Sequence, residues 1–408
     1  MFSLHDKQII EDLARKQMEI ANSEKMKELR KLWLKSNTLK AERPMVTIET
    51  WTFRGEVIPS MMRCEEEGAR KIENTLLCNI ANHILFDDDT VVRDYFPIGI
   101  GRWLLPFNIP VEREYSKNGG VGHHFKEVIT DLESDFHKLG KSRYHVNTME
   151  DAKKAVDYYN EMLGHIIPAK IVGSCYGAVP TQNLLHIMSM ETFMFSMMDY
   201  PEKFKEMMDM LTNDYLEHID VMEKSGVFVP TVGDEGVGQG TYAFTDELAT
   251  DKNTAKNTWF FLDSQETVSI SPDMFAEFIF PYYKKIMDRA GLVSYGCCEP
   301  VDPIWDNCLS KVENLRKVSI SPWCNEEAMA EKLKGTKVVY HRKPSPNFIG
   351  VGSVLDEEAV RNSIGKTAAL NKGRSLEFTQ RDVYTINRDI PKVKRYVELI
   401  REECEKNW

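Results

Sequence analysis

The chain has 408 residues, long for one compact domain but within the range of parallel barrels that carry insertions. Apolar residues make up 42%, enough for a large core, while 63 Asp plus Glu against 52 Lys plus Arg leave a net charge of −11. That balance argues against nucleic-acid binding, which relies on clustered cations. The absence of any run of about 18 apolar residues argues against a membrane helix. The opening Met1-Phe2-Ser3-Leu4-His5-Asp6 has neither the basic nor the apolar region of a secretory signal. Eight cysteines, two of them adjacent, read as free thiols of a reducing compartment rather than as a disulfide framework. A cytoplasmic protein without nucleic-acid or membrane partners is expected.

Ile9, Ile10, Leu13, Met18, Met26, Leu29, Trp33 and Leu34 recur at helical spacing, so residues 6–40 read as one or two amphipathic helices ending at Pro44. These helices are expected to cap the main domain or to form a homodimer surface, with residues 1–44 an extension and 45–408 the main domain. Residues 45–55 read as a strand ending in a Gly loop, 64–86 as a helix, and 91–105 as strand-like. The polar stretch 112–150, with Gly119-Gly120 and His123-His124, reads as a loop-rich insertion suited to cover one mouth. A helix over 150–164 and a short strand from Ile171 follow. A Met-rich helix is predicted over 180–198, and another starts at Pro201 and runs to about 224.

Val227-Phe-Val-Pro-Thr-Val reads as a strand ending at Gly233-Asp234-Glu235-Gly236. Ser271-Pro272 opens a helix through Arg289. Gly291 to Tyr295 is a strand ending at Gly296-Cys297-Cys298-Glu299, and a helix is expected after it. Leu315 to Pro322 is a strand, Asn325 caps a helix to Leu333, Lys337 to His341 is a strand, and Asp356 begins a helix. Short strands alternating with helices predict βαβ units and a parallel sheet. The count favours an α/β fold of the (β/α)8 TIM-barrel type with an N-terminal helical extension. Neither G-x-G-x-x-G nor a P-loop is present to suggest a nucleotide-binding open sheet.

In a barrel, catalytic residues sit at the C-terminal ends of strands. Here those ends carry Asp234-Glu235, Cys297-Cys298-Glu299, Trp323-Cys324, His341-Arg342-Lys343 and Asp382. Thiolate, imidazole and carboxylate together suit Zn²⁺. Adjacent cysteines on a strand face opposite ways, so only one should reach the mouth; both can equally be buried, inert thiols. Asp234 and Glu235, between glycines, suit a general base, a substrate anchor or a metal ligand, or simply a turn. Tyr295 joins them as a catalytic candidate. His341, Arg342, Trp323 and Glu266 are the substrate-binding candidates. Arg342 and Lys343 suit an anionic ligand group or a solvated charge pair. The methionines at 188–198 suit core packing or contact with a large apolar ligand.

Several segments resemble the uroporphyrinogen-decarboxylase superfamily, which includes the cobalamin-dependent methyltransferases. Ile171-Val-Gly-Ser-Cys-Tyr-Gly-Ala-Val-Pro-Thr resembles its Gly-Pro-Phe-Thr segment, and Tyr200-Pro201-Glu202 its "P-E" helix. Ile270-Ser-Pro-Asp-Met-Phe-Ala-Glu-Phe-Ile-Phe-Pro-Tyr-Tyr resembles "lSPe-F-eeF-v-lPy". Arg342-Lys-Pro-Ser-Pro-Asn-Phe-Ile with Glu357-Glu-Ala-Val resembles "GN-l-DP…pee-V". The resemblance spans roughly residues 90–400 and implies the barrel.

It also implies a His-x-Cys-Gly zinc motif where this chain reads Gly296-Cys297-Cys298-Glu299. Cys298 aligns with the cysteine, Gly296 replaces the histidine and Glu299 the glycine. No cysteine stands between Leu376 and Thr385, where the family has its second zinc thiolate. Any zinc would therefore need Cys298 with Glu299 and Asp382, or replacements such as Glu235 and His341. The Arg cluster by which the true decarboxylases hold a polycarboxylate is missing, with Arg54-Gly55 and Asp94 its only counterparts. The expected activity is corrinoid-dependent methyl transfer between a small methylated substrate, such as a methoxylated aromatic (O-demethylation), and the cobalamin of a partner corrinoid protein. A decarboxylase or lyase and a non-catalytic barrel subunit are the alternatives.

Overall fold

A computed structural model describes residues 2–115 and 122–408 of the chain. The glycine pair Gly119-Gly120 lies outside the described residues. Among the described residues thirteen strands appear in chain order: β1 (Met45–Ile48), β2 (Phe96–Ile98), β3 (Arg102–Leu105), β4 (Arg113–Tyr115), β5 (His123–Phe125), β6 (Arg143–Val146), β7 (Ala169–Ile171), β8 (Tyr176–Ala178), β9 (Trp259–Leu262), β10 (Leu292–Tyr295), β11 (Leu315–Ile320), β12 (Val339–Arg342) and β13 (Leu376–Gln380). Seven form one parallel sheet in the order β1-β13-β12-β11-β10-β9-β8. Their runs are almost wholly buried, as a parallel sheet covered by helices requires. The first strand thus lies beside the last. β2 and β7 form a separate parallel pair.

The outer edge of β1 is not left open. Val46 N–H donates to Asp89 Oδ2 (2.9 Å) and Ile48 N–H to Asp88 Oδ2 (2.8 Å). The Val46 carbonyl accepts from Asp89 N–H (2.8 Å) and the Ile48 carbonyl from Asn82 Nδ2 (2.7 Å). Carboxylates and an amide thus stand where a neighbouring strand would, and the edge presents no free pairing groups at these residues. Asp89 also holds Arg43 through both oxygens (2.7 and 2.9 Å) and Arg401 (2.9 Å). It therefore ties the chain before β1 to the C-terminal helix Ile390–Asn407.

The N-terminal helices Leu4–Ala21 and Glu24–Asn37 match the predicted amphipathic segment, each started by a serine cap, Ser3 and Ser23. They share a second core with residues 58–98 and 163–169. Polar anchors fix them there: Trp33 Nε1 donates to the Asp89 carbonyl (2.8 Å), and Asp6 accepts the Glu65 and Glu66 amides (3.0 and 2.8 Å).

Several predicted elements differ. Val227–Val232 is not a strand: Pro230 has no N–H for a ladder, and the segment leans on β9 through Thr231 Oγ1, which accepts the Trp259 amide (2.8 Å). The stretch after Glu299 is turns and a short 3-10 helix (Leu309–Lys311), not an α-helix. The Met-rich helix divides into Pro180–Leu185 and Met190–Asp199, with Ser189 capping the second. Met188 and Met197 are core, whereas Met190 and Met198 are exposed. The segment 112–150 holds the antiparallel pair β4–β5 and also β6, which pairs antiparallel with β3 just before it. It is rooted at the C-terminal end of β2 and contacts the 186–188 stretch through Phe125–His186 packing and an Ile129–Met188 bridge. Among the described residues, no helix is long and apolar enough to cross a membrane.

Replacing Asp89 with alanine leaves two guanidiniums and a buried amide without their acceptor. Breaking a buried pair costs about 3–5 kcal/mol; here about 3 is expected, because Arg43 and Arg401 remain about a third exposed and rehydrate. The urea midpoint of Asp89→Ala should fall accordingly at unchanged slope. A midpoint equal to the wild type would contradict the edge-capping role.

Candidate active site

The C-terminal ends of β9 to β13 open onto two adjoining clefts. The larger, about 600 Å³, is lined by Met190, Gln265, Glu266, Val268, Cys298, Glu299, Pro300 and Trp323. The smaller, about 360 Å³, shares Gln265, Cys298 and Trp323 and adds Cys297, Lys343, Arg381, Asp382, Tyr384 and three prolines. Trp323 is 66% exposed and stands between them.

The turn after β10 builds the shared wall. Gly296 has φ +100°, a conformation that side chains disfavour. A Cβ there would come within 3.1 Å of Ser319 Cβ. This turn breaks the strand alternation, so Cys297 and Cys298 both face the smaller cleft with their sulfurs 3.6 Å apart. The expectation that only one cysteine reaches the mouth is corrected. The Arg381 guanidinium lies 3.5 Å from Cys297 Sγ, and Cys298 lies 3.5 Å from Asp382 Oδ2. The Cys298 thiol, sharing its proton with Cys297, holds Cys297 down to about 6, helped by Arg381 and Lys343 against burial. Cys298 is correspondingly pushed up, by Cys297 first and by burial second. Of the two, Cys297, beside Arg381, is the better placed to ionise, while the family-aligned Cys298 faces Asp382.

Glu299 does not join a metal cluster. Its carboxylate accepts Ser264 N–H (2.9 Å) and Cys297 N–H (2.8 Å), so each oxygen pins one loop of the mouth. Burial raises its pKa despite those bonds. Cys298 and Asp382 do meet, but Glu299 is engaged with the backbone. His341 is buried in the sheet interior, where Nε2 meets Thr379 Oγ1 (2.8 Å). Among the described residues no group of three or more His, Cys, Asp or Glu is placed to hold a metal ion. The donor set does not fit the zinc site that the resemblance implies, and no step is drawn through one.

Asp234 and Glu235 line neither cleft. Asp234 accepts from the Tyr95 hydroxyl and pairs with Arg93 Nε (3.2 Å), while the Glu235 carboxylate accepts the Gly233 amide (2.7 Å). Burial raises Glu235. Both serve a hydrogen-bonded turn next to the 93–95 segment. Tyr295 is fully buried, and its hydroxyl meets Ser264 Oγ (2.5 Å), which fixes the β9 loop against β10. Arg342 is not a solvated charge: it donates to Glu326 Oε1 (2.7 Å) and to the Ile320 and Ser321 carbonyls (3.0 and 2.7 Å). Glu266 lines the larger cleft and accepts from Thr181 Oγ1 (2.8 Å). Burial is the main reason its pKa is raised. His123 and His124 lie on the exposed strand β5 and line neither cleft.

Asp263 was not singled out from sequence, although it directly follows β9. It is 5% exposed, and Oδ1 is buried with no hydrogen-bond partner. Burial, together with Glu299, Cys297 and Glu266, pushes it up to about 8. Arg381 was missed as well; it pairs with Glu49 at the end of β1 (3.2 Å) and with Asp382 (3.1 Å). Lys343 is buried beside it, and burial brings its pKa down to about 8. The mouth therefore combines acids whose pKa burial raises, a pair of adjacent cysteines and two cations around an apolar rim.

No family model and no curated protein matches the chain. Its fold matches that of a methyltransferase from Methanosarcina mazei, with a TM-score of 0.51 over 92% of this chain and 98% of that one, at 14% identity. The two chains share an architecture from end to end.

The thiol assignment is checked by alkylation. Iodoacetamide labelling of Cys297, followed by peptide mass spectrometry, should rise through a midpoint near pH 6 and level off above it, and Arg381→Gln should move that midpoint upward. Labelling of Cys297 with the midpoint of an ordinary thiol, about 8.5, would refute it.

Proposed function

We propose that the protein is a methyltransferase that moves a methyl group between a small methylated substrate and the cobalamin of a separate corrinoid protein. The fold would be a closed (β/α)8 barrel of the uroporphyrinogen-decarboxylase superfamily, in its cobalamin-dependent methyltransferase branch. One observation carries the reading: the larger cleft sets a buried acid, Glu266, beneath an exposed apolar rim of Trp323, Val268 and Met190. The end-to-end likeness in fold to a methyltransferase supports it.

A reduced corrinoid supplies the nucleophile that accepts the methyl group. The chain has three tasks. The rim receives a large, apolar-edged partner group and excludes water from the cleft. Cleaving a methyl–oxygen bond leaves an electron pair on the oxygen, which needs a proton. A carboxylic acid kept protonated at neutral pH by burial is the group to deliver it. Glu266, whose pKa burial raises, is the acid placed to carry that proton in the cleft, and Thr181 Oγ1 fixes its orientation. Glu299 and Tyr295 act as positioning residues, because they lock the β9 and β10 loops together.

Under anaerobic conditions, purified protein with reduced cobalamin should release a phenol from 2-methoxyphenol or a related methoxylated aromatic, and none without cobalamin. Glu266→Gln should lower kcat by about 10²–10⁴-fold, the usual worth of a positioned acid, with a smaller change in KM. Phenol release without corrinoid, or full activity in Glu266→Gln, would overturn the proposal.

A further inference from the structure

Among the described residues, the buried cations that reach this mouth are paired with carboxylates, apart from Lys343. Lys317, in the interior, donates to Glu377 Oε1 (2.8 Å). Arg342 has Glu326, and Arg381 has Glu49 and Asp382. Lys343 is 2% exposed and lines the smaller cleft, yet its ammonium donates only to the neutral amide oxygen Gln239 Oε1 (2.7 Å). A buried ammonium is costly unless it meets an anion. Among the described residues its ammonium makes this one hydrogen bond, although it carries three donors. Cys297 Sγ lies 3.5 Å from Arg381, and Cys297, Glu49 and Asp382 act on Lys343 through space without an ion pair to it among the described residues.

We propose that Lys343 is the anchor for a carboxylate on the substrate, so that the substrate class is a small methylated carboxylic acid. The two clefts share Gln265, Cys298 and Trp323, so one molecule can occupy both. Its carboxylate sits on Lys343 in the smaller cleft, and its methylated oxygen faces Glu266 in the larger one. Lysine is a compact point charge that suits a single oxyanion. Pro322, Pro344 and Trp323 offer flat apolar surface to the body between the two ends. The position of the methyl group rests on the proposed methyl transfer; the carboxylate anchor does not.

Equilibrium binding to the full chain without corrinoid separates the two. Calorimetry with 4-methoxybenzoate and its neutral isostere 4-methoxybenzamide should give at least tenfold tighter binding of the acid. Lys343→Gln should abolish that preference while leaving the amide's affinity unchanged, and Lys343→Arg should restore part of it. Circular dichroism checks that the variants fold; if they do not, acetate should displace 4-methoxybenzoate from the wild type where acetamide does not. Equal binding of acid and amide by the wild type, an undiminished preference in folded Lys343→Gln, or equal displacement by acetamide overturns the anchor. A charge-selective protein that transfers no methyl group overturns the reaction and upholds the anchor.

Discussion

Seven parallel strands share one polarity, and that polarity gathers the chain's polar groups at a single mouth. Each βα passage returns the chain to the same side before the next strand begins, so five successive strand ends, β9 to β13, deliver their following residues to one place. The ladder survives at its β1 edge because Asp88, Asp89 and Asn82 satisfy the backbone groups there. The same Asp89 reaches Arg43 and Arg401, so the first strand, the entry from the N-terminal helices and the C-terminal helix are joined through one carboxylate.

Within the mouth, burial rather than residue type decides charge. Asp263, Glu266 and Glu299 lose most of their water and crowd one another, which favours their protonated forms. Cys297, beside Arg381 and a donating neighbour thiol, goes the other way. Lys343 is buried with the neutral Gln239 Oε1 as its hydrogen-bond partner, and among the described residues it is in no ion pair, although Glu49 and Asp382 act on it through space. The apolar rim around these groups keeps the local dielectric low and strengthens each of these effects.

Much of this was legible in the chain. The alternation of short apolar runs with capped amphipathic helices predicted the parallel sheet and its later strands, and the rule that function sits at strand ends pointed to residues 297–299, 323, 341–343 and 382. Three things were not legible. Gly296 adopts a positive φ that turns both cysteines the same way, which strand alternation cannot anticipate. The polar pair Asp234-Glu235 has the composition of a site, but its partners Arg93 and Tyr95 lie some 140 residues earlier in sequence and make it a structural turn. Val227–Val232 has the apolar content of a strand, yet Pro230 cannot donate to a ladder and the chain passes beside β9 instead.

Local pattern by itself determined most of the helices and the later strands of the parallel sheet, because periodicity, caps and turn residues act over a few positions. Only the tertiary structure decided which polar residues became site and which became scaffold. That choice depends on which remote partners each one finds. Arg342 pairs with Glu326 and is part of the wall, while its neighbour Lys343 lines the smaller cleft and donates to Gln239.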